Sequence, residues 1–272
     1  MHTEEYSYTR FGDLFYYLLA HMHIDLAADV YDHEYIDRMK DTLGVEPQIT
    51  DEMICYYQEH FDRVAVINFV ALIAEDEEQF RNILVSMGML TDEDMDVLVD
   101  PLLEVCRELH EPFCSWWDQH HASVSVRAEI VKRNIDTFKE RYTSFFEHLS
   151  MKVKVIFSYS LRKNGRAFGD GEALNIYLPF PEKEADEQGC FFQLLHECTH
   201  TITDPLLEQE IMMGDGSHDM AEYQVLCYDE YLIAGTETEL LEEYCTWIGQ
   251  SELEKAHEAL GKTGETRLKD LL

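Results

Sequence analysis

His196, Glu197 and His200 stand together in QLLHECTHTITD, residues 193–204. At about 100° per residue, the two histidines lie about 40° apart around a helix and one turn apart along it. Both imidazoles can therefore reach one metal ion. Glu197 lies about 100° round from His196, near that ion but not aimed at it. A carboxylate so placed suits a general base, because it can take a proton from a metal-activated water without displacing it. Two neutral imidazoles suit zinc, a borderline ion that accepts nitrogen and oxygen ligands. The competing reading is of ordinary polar residues on a half-buried helix. A chain with 13 histidines and 55 acidic residues can produce the pattern by chance.

The elements that must position these residues follow from local patterning. A helix is expected from about residue 184 to 203: acids crowd its start and Pro205 stops it. Phe191, Leu195, Cys198 and Ile202 form its apolar stripe, with Cys198 as small core filling. Upstream, MKVKVIFSYS alternates, is β-branched and reads as a strand. RKNGRAFGDGEA is glycine-rich and reads as a turn or loop. LNIYLPFP reads as a second short strand, ended by Pro179 and Pro181. Residues 10–150 read mainly as helices. Phe11, Leu14, Phe15, Leu18 and Leu19 recur at helical spacing, and so do Val64, Ile67, Val70, Ala71 and Ala74. Thr91, followed by Asp92, Glu93 and Asp94, marks a capped helix start. After the motif, Ser217 and Gly235 bound another helix, and Thr236/Glu239 and Ser251/Glu254 match capping boxes for two more. The expected fold class is α+β, mostly α. A helical N-terminal region (1–150) precedes a region (151–272) in which a small sheet packs on the motif helix and further helices. The two regions form separate units or one continuous domain.

His196-Glu197-Cys198-Thr199-His200 resembles the HExxH motif of the zincin metallopeptidases, over roughly residues 150–235. The resemblance implies Zn2+ on His196 and His200, water activation by Glu197, and hydrolysis of a peptide bond. The metzincin extension requires glycine and histidine where Thr203 and Leu206 stand, so that branch does not apply. The gluzincin pattern completes the site with a glutamate on a following helix, and Glu222, 22 residues past His200, is similar in spacing. An acid on a mostly apolar helix face also needs a partner, which a metal supplies. The chain departs from the best-known gluzincin pattern at Leu226, where that pattern has aspartate. Glu230 and His218 therefore stand as rival third ligands. Zincins also carry an edge strand above the active-site helix, on which an extended peptide pairs by main-chain hydrogen bonds. LNIYLPF is the expected edge strand, with residues 165–171 as its flexible approach. An ordinary hairpin is the alternative. Tyr177, Tyr223, Tyr228, Tyr231 and His218 are candidates for stabilising the charge that develops on the substrate oxygen.

Composition bounds the partners. The chain has 272 residues, 46% of them hydrophobic, enough for a buried core. Lys and Arg total 21 against 55 Asp and Glu, a net charge of −34, which repels nucleic-acid phosphate and anionic lipid. Seven cysteines without a CxxC pair fit free thiols in a reducing compartment. MHTEEYSYTR lacks a basic n-region, and the apolar run 14–20 is too short for a membrane span. The expectation is a cytoplasmic zinc-dependent metallohydrolase acting on peptides or proteins. Two other classes stay open: a zinc-binding protein without peptidase activity, and an acidic helical interaction protein with an accidental motif. Among weaker signals, His120-His121 reads as surface and Trp116-Trp117 as core or interface. Metal analysis of purified protein is expected to find close to one zinc per chain, lost in the His196→Ala/His200→Ala variant. A folded wild type that takes up no zinc would make the motif a coincidence.

Overall fold

Thr9 joins the first two elements, strand β1 (Tyr6–Tyr8) and helix α1 (Arg10–Ala20). Its hydroxyl accepts from the Gly12 amide at 3.1 Å, the N-cap bond that satisfies one free helical N–H. The same hydroxyl donates to the Leu72 carbonyl at 3.2 Å and so ties the start of α1 to a neighbouring helix. The computed structural model describes residues 6–22, 31–141, 146, 149, 151–162, 165–169 and 173–198.

The stretch read as helical is helical. It contains α2 (His33–Leu43), α3 (Asp51–Glu59), α4 (Phe61–Val64), α5 (Val66–Ile73), α6 (Glu77–Met87) and α7 (Asp92–Asp94). A π-helical turn (Met95–Val99) then leads into α8 (Asp100–Ser123), and α9 (Ser125–Arg141) follows. Thr91 caps α7 as expected, in a capping box with Asp94. The Asp94 carboxylate also takes Arg63 at 2.7 Å, which holds its pKa far below the usual aspartate range despite its burial. The apolar residues of α1 are buried on all sides, so it is a central helix; the Tyr16 hydroxyl donates to the Asn68 carbonyl of α5 at 2.8 Å.

The sheet contains β1, β2 (Lys152–Ser158), β3 (Arg166–Gly169) and β4 (Ala173–Pro179), in the order β1-β2-β4-β3. β1, β2 and β4 are parallel, and β3 runs antiparallel to β4. Two sequence expectations change here. RKNGRAFGDGEA is not all loop, since its centre pairs as β3. LNIYLPF is not an edge strand, since β4 lies between β2 and β3. Glycine content hid β3, and three residues are too few to show the periodicity of β1.

A 3-10 turn (Glu184–Asp186) opens the motif segment, and residues 187–198 form the helix α10, up to the last described residue. Residues 199–203 of the expected motif helix, and the helices expected after it, lie outside the described residues. Pairing register gives the sheet two faces. Arg166, Phe168, Asn175 and Tyr177 share the face turned to α5, where Phe168 meets Phe69 edge-on. Leu174, Ile176, Leu178 and Ala167 share the other, on which α10 packs. One hydrophobic core takes side chains from both sides of residue 150, from Phe11 to Cys198. Among the described residues no helix is long and apolar enough to cross a membrane.

The helices and the sheet meet at Asp13, which is fully buried. Its Oδ1 accepts from Ser158 Oγ at 2.6 Å, Ser160 Oγ at 2.7 Å and the Ser160 amide at 3.2 Å. Its Oδ2 accepts from Trp117 Nε1 of α8 at 2.9 Å. Burial raises the Asp13 pKa in spite of these donors, which favour the ionised form. Asp13→Ala strands the Trp117 N–H in the core and removes the acceptor of the Ser158 and Ser160 hydroxyls, while the Ser160 amide keeps Ser158 Oγ. The substitution is expected to cost about 3 kcal/mol. Asp13→Asn, which keeps one acceptor oxygen, is expected to cost less. Urea denaturation of the two variants gives the comparison.

Candidate active site

Helix α10 is held by its first turn. Glu187 takes Arg127 Nη1 of α9 at 2.5 Å, and the Asn134 amide donates to Glu187 Oε2 at 2.9 Å. Phe191 stacks on Phe138 of α9, with ring centroids 5.0 Å apart. Cys190, Phe192, Leu194, Leu195 and Cys198 are buried, so nearly the whole circumference of α10 faces protein. Cys198 fills core as expected. The Cys190 thiol is pushed up to about 12 by burial and stays protonated at neutral pH.

Within this apolar helix, Gln193 and Glu197 are both buried, each 6% exposed. They stand four residues apart, on one face and one turn from each other. Gln193 Oε1 accepts the Gly165 amide at 2.6 Å. Glu197 lies directly against Gly165. A Cβ added there would sit 2.9 Å from Glu197 Cγ, 3.1 Å from Glu197 Oε1 and 3.1 Å from Leu178 Cδ2. Glycine is thus required at 165 by close approach. Two adjacent contacts therefore bind the residue leading into β3 to the motif helix: one hydrogen bond and one contact that leaves no room for a side chain.

The structure places the motif residues as follows. His196 is half-buried beside Glu197 on α10. His200, Glu222, Glu230 and His218 lie outside the described residues. Among the described residues no group of three or more His, Cys, Asp or Glu could hold a metal. The ligand set read from sequence includes His200 and Glu222, so only His196 of that set is described. Of the proposed zinc site, the described residues show one half-buried imidazole, His196, with the buried Glu197 carboxylate one residue on.

Glu197 packs against Gly165, the residue that leads into β3, and β3 is one of the two edge strands of the described sheet, with β1 at the opposite edge. The hairpin raised from sequence does not form between the two strands read there, because β2 and β4 pair in parallel; the antiparallel partner of β4 is β3, which sequence reasoning took as loop. Sequence reasoning missed Gln193 and the packed role of Gly165. A glutamine one turn before the glutamate was the available signal for the first. His120 and His121 are not simple surface residues: they stack on Trp116 and Trp117, and His121 Nδ1 lies 2.8 Å from the Tyr159 hydroxyl. Comparison of the chain with protein-family models, curated proteins and solved structures returns no match.

Gly165→Ala is expected to cost about 1–3 kcal/mol through overpacking against Glu197 and Leu178. In a Glu197→Ala background the same substitution is expected to cost less, because the nearest obstructing atom is gone. Equal costs in the two backgrounds, read from denaturation midpoints, would place Glu197 away from Gly165.

Proposed function

We propose that this protein is a zinc-dependent metallohydrolase that cleaves peptide bonds, with Glu197 as its general base. One observation carries the reading: the Glu197 carboxylate is buried on an anchored helix and packed against Gly165, where the chain enters the edge strand β3. Zinc would be held by His196 and His200, with Glu222 as the third ligand. When bound, zinc supplies Lewis acidity and a water of lowered pKa.

The chain's own residues supply the rest. Glu197 takes the water's proton and delivers it to the leaving amine. Its position depends on Gly165, which admits it, and on α10, which Arg127 and Asn134 anchor through Glu187. Gln193 holds the Gly165 amide and keeps the start of β3 on the motif helix. An extended substrate has a ready main-chain partner in β3, since an outer strand presents unpaired N–H and C=O groups. Five described cysteines are free thiols, which suits a cytoplasmic setting.

Glu197→Gln is expected to keep zinc and the fold, and to lower turnover in a peptide-library cleavage assay by about 100-fold or more. Full activity in this variant would remove Glu197 as the base. Wild type that holds zinc but cleaves nothing would favour a metal of structural use.

A further inference from the structure

β3 begins with an arginine in unusual surroundings. Arg10, Arg38, Arg63, Arg81, Arg107 and Arg127 each pair with a carboxylate. Arg166 has no ion pair with any carboxylate of the described residues, in a chain where acids outnumber bases 55 to 21. It is half-buried. One nitrogen, Nη1, donates to the Gly165 carbonyl at 2.6 Å. The guanidinium lies over the Phe69 ring, 5.6 Å from its centroid. Phe69 remains 40% exposed, the only large aromatic among the exposed hydrophobics of the described residues. Phe168, two residues along β3 on the same face, meets that ring edge-on at 6.4 Å.

We infer that Arg166, Phe69 and Phe168 form a subsite that selects an acidic side chain in an extended peptide laid along β3. The inference deepens the proposed function and rests on its reading of β3 as the strand that receives substrate. In an added strand, residues opposite Arg166 or Phe168 share their face, and the adjacent residues project toward the face of Glu197. The acidic residue is therefore a neighbour of one that projects toward the general base's face of the sheet. The guanidinium's Nε and Nη2 donate to no described residue, and a planar fork of donors suits a carboxylate. The two rings cover the methylenes of the ligand side chain. A lysine at that position would meet the fixed positive charge and be disfavoured. The net charge of −34 repels an acidic peptide at long range, so this preference has to come from a cation at contact distance.

The test is a binding measurement on full-length Glu197→Gln protein, which removes turnover from the readout. The probes are a fluorescein-labelled Val/Thr-rich peptide with one central glutamate and the same peptide with glutamine. By fluorescence anisotropy, the glutamate peptide is expected to bind about fivefold tighter or more. Adding Arg166→Gln is expected to make the two peptides equal. Arg166→Lys is expected to keep part of the preference, which a purely packing role would not. Equal affinities with Arg166 in place, or no binding of either peptide, overturn the inference. Wild-type turnover reports separately on the hydrolase reading. Cleavage indifferent to acidic residues keeps that reading and loses the subsite. Binding of the glutamate peptide without any cleavage does the reverse.

Discussion

A carboxylate sealed from water joins the two halves of this chain. Asp13 sits in α1, and its partners come from α8 and from the end of β2. A buried charge is costly unless its hydrogen bonds are met, so each partner has a defined place around it. β2 in turn fixes β4 by seven paired positions, and β4 fixes β3 by four. The position of the β3 edge strand is thus traceable, pairing by pairing, to a residue 153 places before its start.

The candidate site forms where this chain of contacts meets α10. The helix arrives from the other side of the sheet, held by its own partly buried ion pair with α9. The two supports are independent, and their meeting point is Gly165. The absence of a side chain there lets helix and strand approach to where Gln193 bonds the backbone and Glu197 fills the remaining space. Any residue larger than glycine would separate the carboxylate from the strand.

Charge acts on two scales here. The excess of acids sets the long-range field and favours cations and metal ions near the surface. Local recognition follows different rules, because a half-buried guanidinium on an aromatic ring is screened less than an exposed one. Most described arginines serve the fold by neutralising acids of neighbouring elements. Arg166, stacked on Phe69 at the start of the edge strand β3, is differently placed.

Sequence alone determined the helical N-terminal stretch, the β2 and β4 segments, the cap at Thr91 and the four-residue spacing of His196 and His200. Each is a local property: a period of 3.6 or 2, or a side chain reaching its own backbone. Tertiary structure decided the rest. Strand order is non-local, so β4, apolar and short, read as an edge strand until pairing put it inside. β3 owes its existence to its neighbour, since RAFG has little strand character of its own. Gln193 and Gly165 became site residues only through a contact across 28 positions of sequence. His120 and His121 look polar in isolation, but α8 stacks them on the tryptophans four residues before each. Periodicity identifies which residues are buried; three-dimensional packing determines which of them meet.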